Sequence, residues 1–363
     1  MRSVFINGRF LTQVLTGVQR YSRELVRALD LLVEAQPDPD TEWVLLCPPK
    51  AELPPLRAVR SVTVGGATGH LWEQTRLAAA ARGSVVVSLG NSGPLWHRRQ
   101  LVVIHDASVF RTPENYGRPY RIAHRTLTRL LSRTAQLATV SRFSQQELAE
   151  ILRLPPEVIS VVPDGVACSD ERGAYSSVQT PLGLNGNRYL LYVGSLAPNK
   201  NLARAVEAFE LVRQPDEKLV IVGSVATNVF KQSIPVAGEH IVLAGRVSDD
   251  ELKTLYRHAV ALIFPSIYEG FGLPPLEAMA HGCVVLASNI EPVREVCAEA
   301  AVYFDPFAPE QIASVFRQAL SGTFDRARLV RAGRQRASLY TWQASAEALR
   351  CTVYKILDKG TGR

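Results

Sequence analysis

Residues 264–282 read FPSIYEGFGLPPLEAMAHG. They follow the apolar run 260–264 (VALIF), so a strand passes into a turn that carries Gly270 and Gly272. Pro274 and Pro275 then open a helix, because a proline in the first helical turn sacrifices no hydrogen bond. The glycines let the backbone approach a ligand closely. A strand, a glycine turn and a helix N-terminus suit an anion such as phosphate, since free N–H groups and the helix dipole both point at it. Glu269 and Glu277 flank this turn. Carboxylates beside an anion site need another partner, and the hydroxyls of a sugar and a ribose provide one through charge-assisted hydrogen bonds. On the residues alone a blander reading stands level with this one: Glu277 complements the helix dipole and Glu269 is a solvated loop residue.

The same alternation runs along the whole chain. Residues 3–7, 42–47, 84–89, 101–105 and 136–140 are short apolar runs, with helical patterns at 18–31 and 143–152. Continuous Val/Ile/Leu runs between turn residues predict strands buried on both faces, hence a parallel sheet built of βαβ units. The pattern pauses at 168–187, rich in Ser, Gly and Asn, and resumes with 188–193, 218–222, 240–243, 260–264, 283–287 and 301–304. The expected organisation is therefore a first Rossmann-like domain over 1–167, a linker over 168–187, a second over 188–341 and a terminal helix over 342–363. Two such α/β domains facing each other would form a cleft, with ligands outside the carboxyl ends of the strands.

Composition sets the class. The chain has 363 residues, 47% hydrophobic and 21% charged, an ordinary globular balance. No run approaches the ~18 apolar residues of a membrane-crossing helix. The five cysteines are scattered, without CxxC spacing or a histidine cluster, which fits a reducing cytosol and no zinc site. A net charge of +7 and a pI near 9.3 favour anionic partners.

The segment around Glu269 and Glu277 resembles the E-x7-E signature of the retaining glycosyltransferases of family 4, which have the two-domain GT-B fold. The resemblance extends to Gly245, Val247-Ser248-Asp249-Asp250-Glu251-Leu252, Leu255-Tyr256 and Ala259 before it, and to Gly282, Ser288-Asn289, Glu295-Val296 and Asp305-Pro306 after it. It implies that Glu277 binds ribose hydroxyls and Glu269 the donor sugar. The backbone of Gly270, Phe271, Gly272 and Leu273 would meet the diphosphate or sugar, and the turn through Arg246 and Val247 the base. In 192–202 (YVGSLAPNKNL), Gly194 and Ser195 open a turn and Lys200 matches a lysine that touches the diphosphate. Fixed positive charge there stabilises the departing nucleoside diphosphate. Relatives carry arginine where this chain has Ser195 and Asn199, so the second cation is open, with Arg246 a candidate.

Gly17, in TGVQRY after the first strand, resembles the family's first glycine turn at the donor phosphates or acceptor. His105, ending a strand, matches a histidine close to the donor sugar, while Asp106 reads as a loop cap. Residues 141–147 read as a capped helix start, and 161–166 as the exit from the first domain. Trp72-Glu73-Gln74 and Gly90 to Leu95 resemble a subgroup that builds O-chains or exopolysaccharide.

Between residues 98 and 142 lie nine arginines and two acids. Arg118, Arg121, Arg125, Arg129 and Arg133 share one helix face, with Ile122, Leu127, Leu130 and Leu131 among the opposite positions. A solvated face over an ordinary core is one reading. The other is a footing on an anionic membrane leaflet or a polyprenyl-diphosphate-linked acceptor. No aromatic platform or groove-reading motif supports nucleic acid.

The reading is a cytoplasmic, peripherally membrane-bound, metal-independent retaining hexosyltransferase without a resident cofactor. It would move mannose or rhamnose from a nucleotide sugar, by expectation a GDP-sugar, to a glycan or lipid-linked glycan. A GT-B sugar-nucleotide epimerase or a non-catalytic sugar-nucleotide binder are the alternatives, since a fold does not by itself fix a function.

Overall fold

The computed structural model describes residues 2–167, 184, 188–223 and 239–359. The expected linker, 168–187, lies outside the described residues apart from Leu184. The chain divides into two compact units. One comprises Met1–Arg111, Arg118–Gly165 and Tyr340–Arg363; the other Thr112–Gly117 and Val166–Leu339.

The first unit holds seven parallel strands: β1 (Arg2–Asn7), β2 (Thr41–Cys47), β3 (Arg60–Thr63), β4 (Val85–Ser88), β5 (Gln100–Val103), β6 (Gln136–Thr139) and β7 (Ile159–Val161). Their order is β3-β2-β1-β4-β5-β6-β7, with pairs such as Val4↔Trp43 and Val87↔Leu101 in parallel register. Central strands β4 and β5 are buried along their length, as their apolar runs require. The edge strands β3 (RSVT) and β7 (ISV) are only four and three residues long and carry no extended apolar run.

The second unit repeats the plan with six parallel strands: β8 (Arg188–Val193), β9 (Glu217–Val222), β10 (Ile241–Gly245), β11 (Ala261–Phe264), β12 (Val285–Ser288) and β13 (Ala301–Phe304). Their order is β10-β9-β8-β11-β12-β13. In both sheets the order reverses beside the first strand, so the loops after β1 and β4, and after β8 and β11, diverge at the carboxyl ends and leave a crevice. One face of the second sheet is sealed by Tyr192, Ile221 and Ile263 packed on Phe209 and Phe316.

The helix Trp342–Asp358 returns to the first unit and lies along the helix Gly17–Ala35. Trp342 meets Tyr21 edge-on at 6.0 Å, and Arg350 donates to the Gln36 side chain at 2.6 Å. At the foot of this helix a Cβ on Gly165 would lie 2.4 Å from the Trp342 backbone nitrogen. The outgoing and returning passes of chain thus touch at a point that admits no side chain.

Candidate functional site

At the carboxyl end of β11, Glu269 leads into the turn that begins the helix Leu273–Ala280. Gly272 sits at φ +120°, a conformation side chains resist. No side chain among the described residues caps this helix start; Pro274 and Pro275 carry no N–H and the Leu276 N–H donates to the Gly272 carbonyl, so the Leu273 N–H is the first-turn amide that can meet a ligand. Four residues into the helix, Glu277 is buried, and the hydroxyl of fully buried Tyr256 donates to its Oε2 at 3.1 Å. That bond fixes the carboxylate's rotamer. Tyr256 is a site residue that its sequence position marked only as a landmark.

Lys200 and Glu269, 69 residues apart, meet here. The Lys200 ammonium donates to both Glu269 oxygens, at 2.7 and 2.8 Å. The side chains remain 22% and 11% exposed. The loop carrying Lys200 is stitched to the loop after β11. Asn199 accepts from the Ile267 backbone at 2.8 Å, and its side chain reaches the Tyr268 carbonyl at 3.3 Å. Asn201, in the left-handed region at φ +55°, spans the carbonyls of Pro265 and Pro306 at 3.1 and 2.8 Å. The asparagines flanking the lysine thus fix where it stands.

Gly194 and Ser195 follow β8, where the Ser195 carbonyl accepts from Tyr192 at 2.7 Å. Gly223, not singled out in the sequence, is required here: a Cβ on it would lie 1.8 Å from the Gly194 carbonyl oxygen. Gly245 ends β10 at φ +64° with open space around it, and Arg246 is exposed beside it, with Val247 half-buried. Gly270 and Phe271 are buried, and Leu273 is half-buried.

In the first unit, Thr16 and Gln19 form a capping box at the start of the helix Gly17–Ala35. Gly17 is exposed at the first helical position, and a Cβ there would meet nothing. His105 is buried edge-on against Tyr21 at 4.7 Å. Its Nε2 lies 2.9 Å from the Leu89 carbonyl, to which it donates, and its backbone N–H donates to Asn91 Oδ1 at 2.8 Å. Burial holds its pKa below the usual 6.5, against the opposing pull of the Leu89 carbonyl and Asp106. The ring is therefore neutral and one nitrogen is committed to the protein. Asp106 caps the next turn through the Ser108 N–H at 2.7 Å, and Ser141 caps the helix Arg142–Leu152.

The two motifs 72–74 and 90–95 prove to be one structure. Gln74 clamps the Gly93 carbonyl and the Leu95 N–H at 2.9 and 2.8 Å. Glu73, wholly buried, accepts from Asn7 Nδ2 at 2.6 Å and Ser92 Oγ at 2.9 Å. Arg9 stands 3.3 Å from it. Glu73 stands within the motif 72–74, but the sequence assigns neither it nor Arg9 a role.

The arginine face requires correction. In the helix Arg118–Thr134 the buried residues are Thr128 and Leu131, while Ile122 is 63% exposed and Leu130 39%. Arg121 and Arg125 are half-buried. Arg125 donates to the carbonyls of Val109 and Phe110 at 2.7 and 3.2 Å and lies over the Phe110 ring. The helix is rolled so that these two arginines face the protein: Arg125 caps carbonyls, whereas Arg121 buries its stem and its Nε makes no hydrogen bond among the described residues. Arg118, Arg129 and Arg133 face out, beside Ile122 and Leu130.

Residues 179–336 match the family described as glycosyl transferases group 1. The chain is 28% identical to O-antigen chain mannosyltransferase B of Escherichia coli over 272 residues, 71% of each chain. Among solved structures it resembles sucrose-phosphate synthase of Thermosynechococcus elongatus, with a TM-score of 0.73 at 17% identity over 99% of this chain and 100% of that one. It also resembles Anabaena HepE in complex with UDP-glucose, with a TM-score of 0.71 at 14% identity over 99% and 100%. Two parallel sheets with strand order reversing beside the first strand, and these structural likenesses, give the fold as GT-B. The matched stretch, which holds Lys200, Glu269 and Glu277, is thus similar to the glycosyl transferases group 1.

Proposed function

We propose that the chain is a retaining mannosyltransferase that uses a nucleoside diphosphate sugar, GDP-mannose first among candidates, to extend a glycan of a bacterial surface polysaccharide. The observation that carries this is the Lys200–Glu269 pair at an uncapped glycine turn, with the buried carboxylate of Glu277 a helical turn away. Cation, N–H groups and carboxylates together suit a diphosphate flanked by two sets of hydroxyls. The sugar follows the named activity of the E. coli relative; rhamnose is the second candidate.

In this reading Glu277, oriented by Tyr256, accepts the ribose hydroxyls, and Glu269 accepts hydroxyls of the donor sugar. The N–H groups of the turn and the Lys200 ammonium take up the charge that grows on the diphosphate as its bond to the anomeric carbon breaks. The acceptor hydroxyl oxygen bonds to that carbon on the same face, and its proton passes to the departing phosphate oxygen. Retention follows without an enzyme nucleophile, and without a metal ion, since lysine and backbone dipoles cover the charge. Gly17 offers its helix start to phosphate or acceptor, and His105 supports the strand-end loops through Leu89 and Asn91. Arg246 is the second cation nearest the turn after β10.

The acceptor is a glycan, free or on a polyprenyl diphosphate. The outward arginines with Ile122 and Leu130 fit a cytoplasmic anionic leaflet. No helix among the described residues is long and apolar enough to cross a membrane, so attachment would be peripheral.

The test is a thermal-shift screen with GDP, UDP, ADP and TDP and their sugars, followed by NMR of the product with a mannose-terminated acceptor in EDTA. A ligand at a hundred times its Kd stabilises by about 2.7 kcal/mol. GDP-mannose is expected to shift the melting point and yield an α-linked product. An inverted product, or transfer that stops in EDTA, would sink the mechanism.

A further inference from the structure

We propose that His70, Glu73, Tyr120 and His124 form a subsite in the first unit for one neutral sugar ring of the acceptor glycan, an inference that rests on the glycosyl-transfer reading above. Glu73 lies where β1 and β4 end, among Asn7, Ser88 and Ser92, the side of an open α/β sheet on which ligands bind. Burying a carboxylate with a guanidinium is costly unless it is well partnered; here the carboxylate meets Asn7, Ser92 and His70, and stands 3.3 Å from the Arg9 Nε, which itself makes no hydrogen bond among the described residues. The helical segment carrying Glu73 widens into a π-helical turn over Glu73–Leu77, a feature that gathers at functional sites.

This network opens to solvent most widely at His70. His70 Nδ1 lies 3.1 Å from Glu73 Oε2, and the His70 side chain is 53% exposed. Burial pushes the Glu73 carboxyl up, but the bonds from His70, Asn7 and Ser92 and the charge of Arg9 outweigh it and hold the group ionised. The contact of Glu73 with Nδ1 fixes the ring and leaves Nε2 as the nitrogen that can meet a ligand hydroxyl. Beside it, His124 meets His70 edge-on at 6.4 Å, and Tyr120, 44% exposed, stacks on His124 at 4.0 Å. The result is a flat ring surface next to a fixed hydrogen-bonding nitrogen, which matches the C–H face and a hydroxyl of a pyranose. A phosphate would want net positive charge. Arg9 is neutralised by Glu73, and burial, with His70 and Arg9 nearby, holds His124 below its ordinary pKa.

The test uses the whole chain and its His70→Ala and Tyr120→Ala variants, both at exposed positions. Acceptor and donor KM are measured for each, and saturation-transfer NMR reads binding of methyl α-D-mannopyranoside. The acceptor KM is expected to rise about tenfold in each variant, the loss of roughly one hydrogen bond or ring contact, while the donor KM does not follow. The mannoside signal should weaken in both variants, and His70→Gln, which keeps a hydrogen-bonding side chain, should recover part of it. An acceptor KM that does not move, a donor KM that moves equally, or displacement of the mannoside by inorganic phosphate overturns the subsite. If no sugar nucleotide is turned over, the transfer reading fails by itself, and the NMR titration still decides whether these residues hold a sugar.

Discussion

Two carboxylate–cation pairs stand at the carboxyl ends of the two sheets, and they are built in opposite ways. Lys200–Glu269 in the second unit keeps both partners partly open to solvent. Arg9–Glu73 in the first is shut, with the Glu73 side chain at zero exposure and the Arg9 side chain at 10%. Each half of the open pair can leave the other for a ligand: lysine for phosphate, carboxylate for hydroxyls. The shut pair cannot exchange partners, so it acts through what it holds in place. Exposure, more than ion-pair geometry, separates a pair that binds from one that braces.

The largest effect should come from breaking the shut pair. Glu73→Ala leaves Arg9 buried without its counter-charge, and urea unfolding should register a loss of about 3–5 kcal/mol. Glu269→Gln, at the open pair, should cost less than about 1 kcal/mol in the same measurement. Equal losses would erase the distinction. Next comes Lys200→Ala, expected to lower kcat about a hundredfold or more while the melting temperature hardly changes; full activity would remove the lysine from the mechanism. The smallest effect concerns His105. Its folded pKa lies below 6.5, so as pH falls through that value the unfolded chain takes up a proton that the folded chain refuses. Stability should then fall with decreasing pH, by at most about 1.4 kcal/mol per unit for this group, and be flat above. His105→Gln should remove that slope between pH 7.5 and 5.5; a slope that persists assigns it elsewhere.

What could be read beforehand follows the range of the interaction. The β11–turn–helix that carries Glu269 and Glu277 is contiguous, and its glycines and prolines announce a geometry independent of the rest of the chain. The buried central strands were equally legible from their apolar runs, whereas β3 and β7, short and at sheet edges, lacked that signal. Lys200 and Glu269 were each identifiable, but their contact across 69 residues was not. The helix Arg118–Thr134 shows a different limit. Periodicity says which residues share a face, not which face turns inward, and arginines with long apolar stems occupied the inner side with Arg125 on backbone carbonyls. The Glu73 network draws on Asn7, Arg9, His70 and Ser92, four positions that only the closed sheet brings together.

The return of the helix Trp342–Asp358 to the first unit also orders events in time. Tyr21, in the core of that unit, lies against Trp342, and the bond from Arg350 to Gln36 closes over 314 residues. The first sheet can pair its strands early, yet the flank of its first helix stays bare until the entire second unit has emerged. Contacts of such long sequence separation form late and slow folding. Nascent chains of this protein should therefore pass through a stage in which one apolar helix face waits uncovered, a natural point of attachment for a chaperone.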